Sequence, residues 1–138
     1  MRYLAIDYGG KRTGLALCDR SEMIASPIAV IENPALVIQK ILAVIRDEHV
    51  ETVVVGLPMN MDDTEGQAAK AVRVFAKELA ARTAIPIIFH DERLSSFEAE
   101  GKLVAADLTR KKKKKRLDAV AAAAILQSFL DKKHEDAK

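Results

Sequence analysis

Hydrophobic and polar positions divide the chain into short apolar runs and longer periodic stretches. Arg2–Tyr8 (RYLAIDY) and Thr13–Cys18 (TGLALC) flank Gly9-Gly10-Lys11, a pattern that predicts two strands joined as a hairpin. Met23–Ile31 is a third apolar segment. Pro27 within it predicts an edge position or a bulge, because proline offers no ladder hydrogen bond. Asn33-Pro34 places a capping residue before proline at the first helical position, and Val37, Ile38, Ile41, Leu42 and Ile45 continue as a helical stripe to about Glu48. Thr52–Leu57 (TVVVGL) is the continuous β-branched run of a buried parallel strand. After a loop at Pro58–Asp63, Ala68, Ala71, Val72, Phe75, Ala76 and Leu79 recur at helical spacing. Ile85–Phe89 (IPIIF) predicts a last short buried strand. Ser95-Ser96-Phe97-Glu98 resembles a capping box opening a short helix to about Ala106, and a final helix is expected from about Leu117 to Lys132.

Three strands, a helix, a strand, a helix, a strand and two helices make an α/β order. Early hairpins that feed right-handed βαβ crossovers predict a mixed five-stranded sheet, three strands antiparallel and then two parallel, with helices on both faces. Ligands of such sheets bind beyond the carboxyl ends of the strands. Candidate chemistry is therefore sought at that edge.

At 138 residues the chain is expected to be a single domain spanning 1–138, and 49% apolar with 30% charged residues excludes disorder as its default. The lone cysteine, Cys18, forms no internal disulfide, which points to a reducing compartment. The start MRYLAIDYGG has no signal-peptide pattern, and Ala119–Leu130 is too short and too alanine-rich to span a bilayer. The expectation is a cytoplasmic protein without a membrane.

Charge adds a second feature. The net charge is +2, but Arg110–Arg116 (RKKKKKR) holds seven positives; 15 positive and 20 negative residues remain elsewhere, a balance of −5. An acidic body with one concentrated basic segment is an electrostatic footprint for a polyanion, or else a solvated lysine loop. The segment is expected as a flexible basic loop at about 108–116, and the end of the chain as a frayed tail at about 132–138.

Three carboxylates stand where charge is costly. Asp7 ends an apolar strand on the face of Tyr3 and Ala5. Glu92, with Asp91, follows the last strand. Asp118 shares a helical stripe with Ala122, Ile125 and Phe129. A buried carboxylate needs a partner, and a reason to gather three is a hard divalent cation such as Mg²⁺ or Mn²⁺. Two such ions would clamp a phosphodiester and activate water for in-line attack. Each acid also has a plain structural reading: Asp7 caps its turn, Glu92 pairs with Arg93 or Lys11, and Asp118 caps the last helix.

Other signals point away from other chemistry. Cys18 reads as a core thiol, and His90 as a structural residue or a proton shuttle beside the acids. Three histidines and one cysteine lack the spacing of a zinc site. Gly9, Gly10 and Gly14 lack the strand-to-helix setting of a nucleotide-binding loop. Two Tyr, four Phe and no Trp make a poor base-stacking platform.

Four ordered segments carry a resemblance: Asp7-Tyr8-Gly9-Gly10-Lys11-Arg12-Thr13-Gly14-Leu15-Ala16, Gly56-Leu57-Pro58-Met59-Asn60, His90-Asp91-Glu92-Arg93-Leu94-Ser95 and Asp118-Ala119-Val120-Ala121-Ala122. Together they resemble the YqgF (RuvX) family over about Arg2 to Leu130. The resemblance implies a ribonuclease H-like fold similar to that of the resolvase RuvC. It also implies a nuclease, described for the family as a candidate for 5′-end maturation of pre-16S rRNA and earlier as a candidate Holliday junction resolvase. Position by position it makes Asp7, Glu92 and Asp118 the catalytic and metal-holding acids. Lys11, Arg12 and Arg93 fall where phosphate contacts are useful, and Asn60 either orients a phosphate or holds its loop backbone. Two departures stand out. The fourth strand ends in Gly56-Leu57-Pro58 with no acid, so Glu92 has to substitute for one; and Asp63 occupies a position where the family usually has glycine, stiffening the loop or adding charge near the substrate.

The expected function is a Mg²⁺- or Mn²⁺-dependent nuclease acting on structured RNA, the ribosomal RNA precursor, with Lys11, Arg12, Asn60, Arg93 and Lys111, Lys112, Lys113, Lys114 and Lys115 on the nucleic acid. The seven basic residues of Arg110–Arg116 would give a salt slope of roughly −4 to −6 if most of them met phosphates. The alternatives are a resolvase of branched DNA and a non-catalytic RNA-binding ribosome-assembly factor. Paired cutting of a junction needs a dimer, so a monomer or weak homodimer bears on that choice. An actin-like phosphotransferase ranks last, since 138 residues leave no second lobe to close on a nucleotide.

Overall fold

The computed structural model describes residues 1–95 and 110–137. Its strands are β1 (Tyr3–Tyr8), β2 (Thr13–Cys18), β3 (Ala25–Ile31), β4 (Thr52–Leu57) and β5 (Ile87–Asp91). Its helices are α1 (Val37–Asp47), α2 (Gln67–Ala80) and α3 (Arg110–Asp136), with 3₁₀ turns at Pro34–Leu36 and Glu92–Leu94. The sheet runs β3-β2-β1-β4-β5. β1 pairs antiparallel with β2 and β2 with β3, whereas β1–β4 and β4–β5 are parallel. This is the mixed sheet that the hydrophobic pattern predicts.

Alternation along each strand sends side chains to two cores. Leu4, Ile6, Leu15, Leu17, Val53 and Val55 pack with Val37 and Ile41 of α1 and with Val72, Phe75 and Leu79 of α2. Tyr3, Ala5, Ala16, Cys18 and Val54 pack on the other face against Ala122, Ile125, Leu126 and Leu130 of α3. Helices thus cover both faces, α1 and α2 on one and α3 on the other. Among the described residues no helix is long and apolar enough to cross a membrane.

Local chemistry explains the boundaries. Asn33 caps the first 3₁₀ turn, its side-chain oxygen accepting from the Ala35 amide at 3.0 Å. Pro27 satisfies both of its expectations: β3 is an edge strand, and the register with β2 shifts between Leu15 and Ala16, leaving Ile28 as the bulge. Cys18 is buried, its Sγ accepting from the Tyr3 amide at 3.2 Å.

Several expectations are corrected. β5 runs two residues further than the apolar pattern suggests, to Asp91, because parallel pairing with β4 carries the ladder to Leu57 and Asp91. It is an edge strand with Ile88 and Phe89 exposed rather than a buried one. On α2 the buried residues include Ala69, whereas Ala68 and Ala71 face solvent. α3 begins at Arg110 instead of about Leu117 and ends at Asp136, so residues 110–116 are helical rather than a loop, and the expected frayed tail is helical to Asp136. Lysine and arginine are good helix formers, and α3 extends through them as a continuation of its packed half. The helix end is tied as well: Glu22 takes Lys133 and the N-terminal amine, and the Glu22 carbonyl lies 2.7 Å from His134 Nε2. The short helix expected to about Ala106 lies outside the described residues.

Candidate active site

Asp7 is the penultimate residue of β1, so its side chain continues the row of Tyr3 and Ala5 on the α3 face. Glu92 opens the 3₁₀ turn directly after β5. Both lie at the carboxyl ends of parallel strands, with β4 between them. The intervening β4 residue on that face is Gly56. A Cβ there would lie 2.8 Å from Glu92 Oε1 and 3.0 Å from Glu92 Cγ, so the missing side chain is the space that Glu92 occupies. The strand without an acid and the acid beyond the next strand are two halves of one arrangement.

Asp7 and Glu92 are hydrogen-bonded to one another. Burial pushes the Asp7 carboxyl up, opposed by the Glu92 hydrogen bond and reinforced by the charge of Asp118. Glu92 is pushed up to about 8, first by burial and then by the Asp7 charge. The two carboxyls thus face one another away from water, and each is held above its ordinary range.

Asp118 reaches the same edge from α3. A Cβ on Gly14 would lie 2.0 Å from the Asp118 carbonyl oxygen, and Gly14 pairs with Asp7 across β1 and β2. The Asp118 carboxyl is half-buried and raised by that burial, with the Arg12 guanidinium opposing the shift. Oxygen donors alone suit a hard divalent cation. Among the described residues no three such side chains yet close on one point. The hydrogen-bonded pair is formed, and Asp118 stands in its field.

The basic and loop residues sort differently. Lys11 is exposed in the β1–β2 turn. Arg12 faces Asp118 and lies 3.7 Å from Glu32. Asn60 organises the β4–α2 loop: its amide donates to the Thr64 carbonyl at 2.8 Å and its side-chain nitrogen to Thr64 Oγ1 at 3.0 Å. Of its two readings, the loop-holding one describes these contacts. Arg93 is engaged within the protein. It donates to Asp91 Oδ2 at 2.7 Å, to the Asn60 carbonyl at 2.9 Å and to Asp63 Oδ1 at 2.9 Å. Asp63 has φ 69, the left-handed backbone that suits the glycine expected there, and its carboxylate adds an ion pair that glycine lacks. Of its two expected effects, stiffening the loop is the one these contacts describe. Lys111–Lys115 lie in the first turns of α3.

Sequence reasoning passed over Gly14 and Gly56 as structural determinants of the site, and over the Asp91–Arg93–Asp63 clamp. The signal for the glycines was present: each interrupts an otherwise bulky strand, which marks a close approach. The clamp joins residues some 30 apart in sequence and leaves no local trace.

Comparison with known proteins fits this geometry. The family profile described as "RuvX: Holliday junction resolvase" matches residues 1–132. A protein of Anaeromyxobacter sp. (strain Fw109-5) named "Putative pre-16S rRNA nuclease" is 45% identical over 136 residues, 97% of this chain and 99% of the relative. A protein of the same name from Geobacillus kaustophilus (strain HTA426) is 41% identical over 137 residues, 96% and 99% of the two chains. Among solved structures, Thermus thermophilus RuvC has a TM-score of 0.62 at 16% identity, over 98% of this chain and 97% of that one. The fowlpox virus Holliday junction resolvase has a TM-score of 0.56 at 14% identity, over 96% and 99%. At those identities the likeness is one of fold. Fold and relatives together define a ribonuclease H-like hydrolase of the phosphodiester-cleaving class. Within that class, the chain belongs to the RuvX family.

Proposed function

We propose that this protein is a divalent-metal-dependent nuclease that cuts structured RNA in the cytoplasm, maturing the 5′ end of pre-16S rRNA. The observation that carries the reading is the meeting of two buried carboxyls, Asp7 and Glu92, at the carboxyl edge of the sheet, across the space that Gly56 leaves open. Such a pair is costly to bury, and a bound cation would offset that cost. The name of the Anaeromyxobacter and Geobacillus relatives supports the choice of RNA.

In this mechanism Asp7, Glu92 and Asp118 would hold Mg²⁺ or Mn²⁺, which supplies Lewis-acid activation of water and neutralises charge on the phosphate. With such a cation bound, Glu92 would give its proton to solvent and stand as a second carboxylate beside Asp7. Arg12 opposes the upward push that burial exerts on the Asp118 carboxyl. Asp91 and Asp63 hold Arg93, and through it the loop at Asn60, beside the acids. Lys11 and Lys111–Lys115 carry the positive charge for the RNA backbone, and their sequence-independent contacts fix its register without reading bases.

The test is cleavage of an end-labelled precursor 5′ leader by the wild type, Asp7→Asn and Asp118→Asn in Mg²⁺, Mn²⁺ and EDTA. Metal-dependent cutting that both variants lose, with folding and RNA binding intact, establishes the reading. Cutting that persists in both variants sinks it. Salt-sensitive binding by all three proteins without any cutting selects an RNA-binding assembly factor instead. The family description favours one further reading, resolution of branched DNA. It requires symmetric cuts in a four-way junction by a dimer, so junction cleavage and sedimentation belong in the same experiment.

A further inference from the structure

Two adjacent polar residues, Gln127 and Ser128, interrupt the apolar surface of α3 between Leu126 and Phe129. Polar groups in such a place are costly unless they are bonded, and both are bonded, in opposite directions across the sheet. Gln127 ties α3 to the approach and start of β3: its Oε1 accepts from the Ala25 amide at 3.0 Å and its Nε2 donates to the Met23 carbonyl at 2.9 Å. Ser128 reaches the opposite edge. Its Oγ donates to the Leu94 carbonyl at 3.0 Å and lies 2.9 Å from His90 Nε2. A hydroxyl has a single proton to give. With that proton on Leu94, the Ser128 oxygen accepts from His90, which puts a hydrogen on Nε2 of the imidazole.

His90 and Leu94 bracket Glu92, two residues to each side. Ser128 therefore holds both ends of the segment whose middle is Glu92. It also lies on the helix that carries Asp118, ten residues or about 15 Å along the axis. We infer that Ser128 is a positioning residue: it fixes the Glu92 turn against the helix bearing Asp118, so that the acids of the two elements keep one spacing. The inference rests on the proposed role of those acids. Sites of this kind lose function when a supporting contact lets a ligand group drift by about half an ångström to one ångström.

The experiment uses the full chain as wild type, Ser128→Ala, Ser128→Thr and Gln127→Ala. It reads amide exchange at Arg93 and Ser95, whose N–H groups bond to Asp91 Oδ1 and the Glu92 carbonyl. It also reads the ¹⁵N tautomer signature of His90, Mn²⁺ titration, and leader cleavage. Ser128→Ala is expected to speed exchange at both amides about tenfold and to lose the fixed Nε2–H signature. Mn²⁺ affinity should fall severalfold, and kcat about tenfold or more at unchanged KM. Ser128→Thr restores all four readouts because it keeps the hydroxyl. Gln127→Ala loosens α3 at β3 while leaving the Glu92 turn protected. An unaltered turn in Ser128→Ala, or an equal disturbance of the turn in Gln127→Ala, overturns the inference. A wild type that neither cuts nor binds Mn²⁺ defeats the nuclease reading alone. Amide exchange then decides the positioning role, faster exchange sustaining it and unchanged exchange overturning it.

Discussion

Gly14 and Asp118 meet backbone to backbone: a Cβ on Gly14 would stand 2.0 Å from the Asp118 carbonyl oxygen and 2.9 Å from the Ala119 nitrogen. The contact lowers α3 onto β2 at the level of Asp7, the Gly14 partner across the hairpin. One of the three acids is thus placed by the absence of a side chain on a different element.

Gly14→Ala accordingly forces α3 away from the sheet, since the obstruction is backbone and cannot rotate aside. Overpacking of this kind costs about 1–3 kcal/mol or more. Urea unfolding is expected to show a loss of at least the lower figure, together with loss of cleavage, because Asp118 moves with its helix.

Gly56→Ala separates activity from stability. The added methyl meets Ile125 Cδ1 at 2.5 Å and Glu92 Oε1 at 2.8 Å, both ends of flexible side chains. The fold yields at a cost of about 1–2 kcal/mol, while Glu92 is turned off Asp7. Steady-state cleavage is expected to drop by about tenfold to a hundredfold with the melting temperature lowered by only a few degrees.

Glu92 gives the protein a definite pH dependence in the absence of divalent metal. Its folded-state value, about 8, lies above the ordinary 4.5, so between these limits the folded state holds the extra proton. That stabilisation is complete below about pH 4.5 and is lost as pH rises through about 8. Metal-free wild type should therefore lose stability between pH 5 and 9, and Glu92→Gln, whose amide still donates to Asp7, should show a flatter profile over the same range. Thermal melts in chelator at several pH values decide it; identical slopes would show that the carboxyl pair does not hold the proton.

Asp63 competes with any anion for Arg93. Asp63→Gly keeps the left-handed backbone at φ 69 and removes the carboxylate 2.9 Å from the guanidinium. The arginine, still held by Asp91 but relieved of one carboxylate, is expected to tighten RNA binding by about twofold to fivefold and to steepen the salt dependence by up to about one phosphate contact. Filter binding at several salt concentrations reads both. Unchanged affinity and slope would assign Arg93 wholly to holding the loop.

Much of this was legible along the chain because it is local. Period-two and period-3.6 patterns come from side-chain direction within one element, so Tyr3–Tyr8, Thr13–Cys18, Thr52–Leu57 and the stripe of α1 emerge from their own residues. Pro27 announces its edge and bulge because a missing N–H is a property of the residue itself. Boundaries set by neighbours were less legible. β5 extends to Asp91 because β4 offers partners that far, and α3 reaches back to Arg110 because a docked helix propagates into a lysine run with nothing apolar of its own.

The sequence by itself determined the order of the described elements, the two-faced character of the sheet, and the presence of three carboxylates in apolar surroundings. Only the tertiary structure decided that Glu92 meets Asp7, that Gly56 and Gly14 make room for Glu92 and for the helix of Asp118, and that Arg93 is bound by Asp91 and Asp63. The reason is physical: hydrophobic periodicity reports which way a side chain points, whereas hydrogen bonds and close approaches between distant segments depend on how the sheet and helices pack, and no single segment encodes that.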